Sequence, residues 1–334
     1  MRILVRATNW LGDAVMSLPA LRALRGRFPQ AHIAVLARSW VAGLYRRETC
    51  ADEVIAHSSG RWRLALELRR RRYDMAVLLP NSFDAALTAW LARIPRRIGY
   101  DRDGRGRLLT DPIRPPAKGE IPPHETFYYL ELLRRAGLVE ELPAEEPLLL
   151  SGVEEARRQG ERLFRAMGFA TPVIGISPGA QNSRAKQWPP ERFVEAAASL
   201  AAELGGAVAV FGSAEERELG QSVAAVLRRS GSAVLNLAGE TPLAEFIALA
   251  AACRVFLTND SGAMHIASAL GTPTVAIFGP TEWFATAPAG PRSVIVREPV
   301  ECSPCMLRDC PIDHRCMTRV SPEQVARAAL DLLE

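Results

Sequence analysis

The sequence predicts an α/β protein made of two successive doubly wound domains. Short runs rich in Val, Ile and Leu alternate with longer amphipathic segments, and the whole alternation occurs twice. An acidic, proline-containing stretch, Glu140–Pro147, separates the two series. A length of 334 residues accommodates two domains of ordinary size, ~100–200 residues each. The apolar runs are continuous rather than alternating with polar residues, which is what parallel strands buried under helices on both faces require.

The first series opens with Ile3-Leu4-Val5, followed by a helical pattern from Asp13 to Arg27. Ile33-Ala34-Val35-Leu36, Glu53-Val54-Ile55 and Met75 through Leu79 are the next expected strands, with a helix over 61–72 before the last. The stretch Pro112–Pro123 reads as loop, and a helix follows from Glu125 to Ala136. The second series has strands at 173–177, 207–211, 234–237, 255–258 and 274–278, and a final helix from Pro322 to Leu333. The expected divisions are therefore a domain over 1–150, a domain over 151–320, and a terminal helix over 321–334 that packs back on the first domain.

Composition narrows the function. No apolar run reaches the ~18–20 residues that span a bilayer, and the opening Met1-Arg2-Ile3-Leu4-Val5-Arg6 lacks the layout of a secretory signal. A cytoplasmic protein is expected, with cysteines that serve as thiols or metal ligands rather than disulfides. Residues 1–120 carry 22 Lys and Arg against 11 Asp and Glu, while the whole chain has 41 against 37. That excess at one end points to an anionic partner. Nucleic acid is not expected, because the arginines are scattered through helices without interleaved aromatic platforms.

In doubly wound sheets, ligands bind beyond the carboxyl ends of the strands, so the loops there carry the candidate chemistry. The first, Thr8 through Ala14, has one glycine instead of the G-x-G-x-x-G that lets backbone approach a pyrophosphate, which weakens a dehydrogenase reading. Asp13 stands where the first helix begins, as a cap or as a general base facing the ligand. Lys186, one of only two lysines, precedes a helix marked by Pro189-Pro190; an ammonium beside a helix N-terminus suits a phosphate, and an exposed loop lysine is the plain alternative. In Thr258 through His265, Ser261 and Gly262 begin a helix whose free N–H groups suit a diphosphate. Asp260 is placed to accept from sugar hydroxyls, and His265 lies one turn on; a cap and a core histidine are the bland readings. Cys302-x2-Cys305-x4-Cys310-x5-Cys316, with His314 inside, reads either as a structural zinc knuckle or as a thiol-rich packing loop. Taken alone, these residues imply a protein that binds a nucleotide or sugar phosphate between two domains.

The same motifs resemble a known family. Asn259-Asp260-Ser261-Gly262-x-Met264-His265, followed by Gly271-x-Pro273 and Phe278-Gly279-Pro280, is similar to the donor-site signature of glycosyltransferase family 9, the heptosyltransferases of lipopolysaccharide core assembly. Pro178-Gly179-Ala180 with Ala185-Lys186-x-Trp188-Pro189, and Trp10-x-Gly12-Asp13, match two further motifs. Leu79 through Phe83, Phe211 through Ala214 and Asn236 through Thr241 resemble the heptosyltransferase II branch.

The resemblance implies a GT-B fold, with an N-terminal acceptor domain and a C-terminal nucleotide-sugar domain. It implies inverting transfer of heptose from ADP-heptose, without a catalytic metal, to the first heptose of an anionic lipid A–core acceptor at the inner membrane surface. By position, Asp13 becomes the base, Lys186 a donor-phosphate contact and Asp260 a heptose contact. Ser261, Gly262 and His265 then lie around the diphosphate, and Gly212, Ser213 and Glu215 near the nucleoside. A monomer peripheral to the membrane is expected. A sugar-nucleotide epimerase and another core transferase of the same family are the rival readings.

Overall fold

The buried apolar runs become strands and the amphipathic segments become helices, as side-chain period dictates. In the computed structural model, which describes residues 1–58, 60–142, 147–169, 172–181 and 183–334, the chain divides into two compact units, Met1–Glu146 and Pro147–Glu334. The expected linker residues 143–146 lie outside the described residues. The second unit begins a few residues before the expected boundary because Leu148 N donates to Ala289 O and Leu150 N to Ala269 O, both at 2.8 Å.

The first unit runs β1 (Arg2–Arg6), α1 (Leu11–Met16), α2 (Leu18–Arg27), β2 (His32–Arg38), α3 (Ala42–Tyr45), β3 (Glu53–His57), α4 (Arg61–Arg71), β4 (Met75–Leu78), α5 (Phe83–Leu91), β5 (Arg96–Tyr100), β6 (Asp111–Ile113) and α6 (Glu125–Arg135). Its sheet is parallel throughout, in the order β3-β2-β1-β4-β5-β6. Leu4, Ala34, Leu36, Ile55, Ala76 and Leu78 share one face and pack under Leu64 and Leu68 of α4 and Ala86 and Ala89 of α5.

The second unit runs α7 (Val153–Ala166), β7 (Val173–Ser177), α8 (Pro190–Leu204), β8 (Ala207–Val210), α9 (Arg217–Arg229), β9 (Val234–Asn236), α10 (Leu243–Ala252), β10 (Val255–Asn259), α11 (Gly262–Ala269), β11 (Thr274–Ile277), β12 (Ser293–Val296), α12 (Arg315–Thr318) and α13 (Pro322–Asp331). Its sheet order, β12-β11-β10-β7-β8-β9, repeats that of the first unit. Ile174, Ile176, Val208, Val210, Val255 and Leu257 pack under α8, α9 and α13. Phe256 alternates to the other face and meets Phe246 of α10, ring centroids 6.2 Å apart.

Four features depart from the sequence expectations. The helix expected over Asp13–Arg27 is two helices broken at Ser17, because Pro19 has no N–H to offer the Val15 carbonyl. Strands β5 and β6 were expected as no strand and as loop; β5 opens with two arginines, and β6 is an edge strand that tolerates Pro112. The half-buried edge strand β12 likewise lacks a continuous apolar run. Helix α13, expected on the first domain, buries Val325, Ala326 and Ala329 in the core of the second unit, where its apolar stripe completes the cover of that sheet face.

Helices α7 and α10 approach closely at Gly160, where a Cβ would lie 2.0 Å from the Ala248 carbonyl oxygen and 2.8 Å from the Ala252 Cβ. Gly160→Ala is therefore expected to destabilise the second unit by about 1–3 kcal/mol, despite the better helix propensity of alanine. The denaturant midpoint reads this directly; an unchanged midpoint would show that the two helices do not meet backbone to side chain.

Candidate active site

Both sheets place strands in the order 3-2-1-4-5-6 counted along each unit, so each has a switch point where successive connections diverge to opposite sides of the sheet. The crevice opens beyond the carboxyl ends of the strands flanking it: β1 and β4 in the first unit, β7 and β10 in the second. Asp13, Lys186, Asp260, Ser261, Gly262 and His265 lie on these loops or in the helical turns that follow them; Gly212, Ser213 and Glu215 follow β8, and the cysteine cluster follows β12.

In the second unit, buried Asn259 at the end of β10 holds the long loop after β7. Its amide donates to the carbonyls of Pro178 at 2.8 Å and Gly179 at 3.1 Å, while its Oδ1 accepts from Trp188 N at 2.9 Å. Trp188, itself buried, donates Nε1–H to Val320 O at 3.1 Å. The loop between these anchors carries Lys186 in a 3-10 turn, and Lys186 Nζ lies 2.8 Å from Asp260 Oδ2. Thr281 Oγ1 donates to the same oxygen at 2.8 Å. The structure thus joins Lys186 and Asp260, which the sequence reading treated as contacts to different parts of a ligand.

Directly after Asp260, Ser261 is the extended N-cap of α11 but its side chain does not cap the helix; the hydroxyl instead pairs with Thr258 Oγ1 at 3.2 Å. The first N–H groups of α11, beginning at Gly262, are left without a side-chain partner and carry the positive end of the helix dipole. His265 is buried one turn on, its N–H directed to the Ser261 carbonyl. An ammonium beside a helix N-terminus suits an anion.

The loop after β8 is stitched to the same region by Glu216. Its Oε2 accepts from Ser213 N at 2.8 Å, and a Cβ on Gly179 would lie 2.0 Å from its Oε1. Gly212 and Ser213 are half-buried in this loop, whereas Glu215 is exposed. Sequence reasoning therefore missed Glu216, and the signal available was the glycine at 179, needed where a carboxylate approaches the backbone.

The cysteine-bearing segment borders the site from behind. Ala185 N donates to Arg308 O at 2.9 Å, and the His314 ring meets Ala185 O at 2.7 Å through Nε2. Burial and the neighbouring thiols Cys302, Cys305 and Cys310 push the Cys316 thiol up to about 11. Among the described residues, no three His, Cys, Asp or Glu side chains are placed to hold a metal ion. The four sulfurs are thus neighbours without forming a ready tetrahedral site.

In the first unit, Asp13 lies within the first turn of α1, whose N-cap is Trp10, so it is not the cap. Glu125, in the first turn of α6, lies close enough to share its field. Burial raises the Glu125 carboxyl above the usual range, the Asp13 charge adds to this, and Arg102 opposes it. Neither sequence pattern nor motif had singled out Glu125.

Arg105 was missed as well. Fully buried, it donates to the carbonyls of Tyr100 at 2.9 Å and of Pro80, and to Asn81 Oδ1 at 3.4 Å. It thereby fixes the loop after β4, while Asn81 donates to Tyr128 Oη at 2.9 Å. In sequence it is one arginine among many.

A model of glycosyltransferase family 9 (heptosyltransferase) matches residues 61–315. The chain is 37% identical over 313 residues to lipopolysaccharide heptosyltransferase 2 of Escherichia coli K12, covering 89% of this chain and 88% of that one. It is 33% identical to lipooligosaccharide heptosyltransferase 2 of Haemophilus influenzae over 314 residues, with the same 89% and 88% covered. The solved structure of E. coli ADP-heptose LPS heptosyltransferase II superimposes with a TM-score of 0.84 at 33% identity, covering 100% of this chain and 98% of that one. Sheet order, loop residues and these likenesses agree: the chain belongs to glycosyltransferase family 9, the heptosyltransferases, and is a glycosyltransferase of the GT-B fold.

Proposed function

We propose that the protein transfers heptose from ADP-heptose to the first heptose of the lipopolysaccharide inner core, with inversion at the anomeric carbon and without a catalytic metal. The observation that carries this reading is the Lys186–Asp260 pair beside the N-terminus of α11. That arrangement suits a diphosphate whose charge grows as the glycosidic bond breaks. Lys186 and the helix N–H groups stabilise the departing ADP, and Asp260 keeps the ammonium in place while offering its other oxygen to a sugar hydroxyl. The names of the E. coli and H. influenzae relatives support the substrate class.

Inversion needs a base that takes the acceptor proton on the face opposite the leaving group. Asp13 fills that role, and base catalysis of this kind contributes about 10²–10⁴-fold. Burial, with the Asp13 charge added to it, holds the neighbouring Glu125 carboxyl above its usual range. The basic excess of residues 1–120 suits an anionic lipid acceptor at the cytoplasmic face of the inner membrane, and no described helix is long and apolar enough to cross it. The protein acts there as a peripheral monomer. Zinc on the cysteine segment would be structural, with no part in the reaction.

ADP release from ADP-heptose in EDTA should depend on heptosyl-Kdo2-lipid A; a requirement for added divalent metal would overturn the metal-free mechanism. In that assay Asp13→Asn should lose about 10²–10⁴-fold in turnover at unchanged ADP affinity, and a rate within a few-fold of wild type removes it as base. Lys186→Ala should weaken ADP binding by about 10–100-fold in calorimetry; equal affinity contradicts its phosphate role. Glu125→Gln separates the neighbouring carboxylate by stability. Because the folded-state pKa of Glu125 lies above its unfolded value, its ionised form opposes folding at pH above the folded pKa, and the penalty vanishes below the unfolded one. The variant should therefore melt higher than wild type at pH 7, with the gain lost as pH falls through the carboxylate range. A gain equal at both ends would show that the Glu125 carboxyl is not raised in the folded chain.

A further inference from the structure

Three nitrogen-rich side chains meet at the carboxyl edge of the first sheet, facing one carboxylate, Asp84, that is already paired elsewhere. Arg6 pairs in register with Leu36, and Arg38 with His57. Parallel partners in register point to the same face, so Arg6, Arg38 and His57 all project on the side covered by α4 and α5. His57 is buried, 7% exposed, and neither ring nitrogen has a hydrogen-bond partner among the described residues. Arg6, 5% exposed, spends its guanidinium on the carbonyls of Ala7 and Leu36 and on Asn9 Oδ1. The Arg38 side chain makes no hydrogen bond or ion pair among the described residues; its guanidinium stacks 5.7 Å from the ring of Trp40.

The charges around this cluster are unbalanced. Asp84 of α5 is the acidic group that faces it, and Asp84 already pairs with Arg61 at 2.5 Å. Burial, then Arg6 and Arg38, press the His57 pKa down to about 4, and burial with Arg38 lowers Arg6 to about 10. Buried donors without acceptors are rare, because each costs its desolvation without return. An oxyanion removes both defects at once: it accepts from the imidazole N–H and from Arg38, and it cancels the repulsion between the two guanidinium groups. Helix α4 adds to the field, since its N-cap is Gly60 and no side chain caps its first turn.

We propose that Arg6, Arg38 and His57 form an oxyanion subsite that holds a phosphate or carboxylate group of the acceptor, apart from the donor diphosphate. The assignment to the acceptor rests on the heptose-transfer reading; the oxyanion site itself does not.

Two measurements on the full chain test it. The His57 ring signals, identified by their loss in His57→Gln, are followed by NMR against pH with inorganic phosphate or with sodium chloride at equal ionic strength. Phosphate should raise the His57 pKa where chloride does not, and Arg38→Ala should abolish the difference. The acceptor KM of Arg38→Ala should rise about tenfold or more, the loss of one charge-assisted contact. The Arg38 side chain is half-exposed and holds no backbone group, so the variant should fold, and an unchanged denaturant midpoint verifies that. Equal behaviour of His57 in phosphate and chloride overturns the subsite. A phosphate-specific shift with an unchanged acceptor KM overturns its assignment to the acceptor. If the wild-type chain transfers no sugar to heptosyl-Kdo2-lipid A while the phosphate shift persists, the heptose-transfer reading fails and the oxyanion site stands.

Discussion

The donor half of the site depends on the side-chain amide of Asn259. It stands at the carboxyl end of β10, across the switch point from β7, and holds the β7 loop at both ends of the stretch that carries Lys186. Two carbonyls and one N–H, all buried, would lose their partner together if it were shortened to alanine. Each such orphan costs about 1–3 kcal/mol, so the loop would rearrange to find water. Aspartate is no substitute, because it has no N–H to give the Pro178 and Gly179 carbonyls. The ammonium of Lys186 reaches Asp260 because its neighbours in the chain are held this way.

That clamp explains how the fold binds phosphate without the glycine-rich turn common to dinucleotide-binding sheets. There, the first strand leads by a tight turn into a helix whose N-terminus meets the pyrophosphate. Here the loop after β7 runs from Pro178 to Pro189 before α8 begins, too long to aim that helix closely. The uncapped helix N-terminus is supplied instead by α11 on the other side of the switch point, with Ser261 turned away from it toward Thr258. A distant lysine is then folded back to lie beside it. The first unit has the same sheet order but fixes its β4 loop through Arg105, a buried cation satisfied by carbonyls rather than by a carboxylate. Carbonyl dipoles solvate such a cation in place of water, and burial holds its pKa down near 10.

How far this was legible in the sequence follows from what each residue depends on. Strands β1, β2, β4, β7, β8, β10 and β11 are continuous apolar runs because they are buried on both faces, and periodicity finds them. Strands β5, β6 and β12 flank them on the edge side of each sheet, where partial exposure admits Arg96, Pro112 and Ser293 and removes the signal. Lys186, Asp260 and Ser261 were visible because they sit in polar loops between strands and helices, and Asp13 because it sits in the first helical turn after such a loop. Glu125, Arg105 and Glu216 were not, since their roles come from residues far away in the chain: Asp13, the carbonyl of Pro80, and Gly179. Local pattern cannot report a contact closed by topology. His57 is the sharpest case, because its neighbours Arg6 and Arg38 reach it only through the lateral pairing of β1, β2 and β3.

The cysteine segment acquires its meaning from the same kind of closure. Between Cys302 and Cys316 it grips the Lys186 loop through Arg308 and His314. It also grips the loop after β11: Ser303 donates to Gly279 O at 2.5 Å, and Cys305 N and Met306 N both donate to Pro280 O. The next residue, Thr281, is the one that hydrogen-bonds Asp260. Both members of the Lys186–Asp260 pair are therefore tied, one through Ala185 and the other through Thr281, to a single stretch of chain. An ion pair whose two sides share one anchor keeps its separation when the surrounding loops breathe, because displacement of the anchor carries both sides together. Such preorganisation lets a lysine and a helix N-terminus stabilise a leaving diphosphate without reorganising as charge develops, and it gives a thiol-rich loop next to the site a mechanical reason to be there that requires no chemistry of its own.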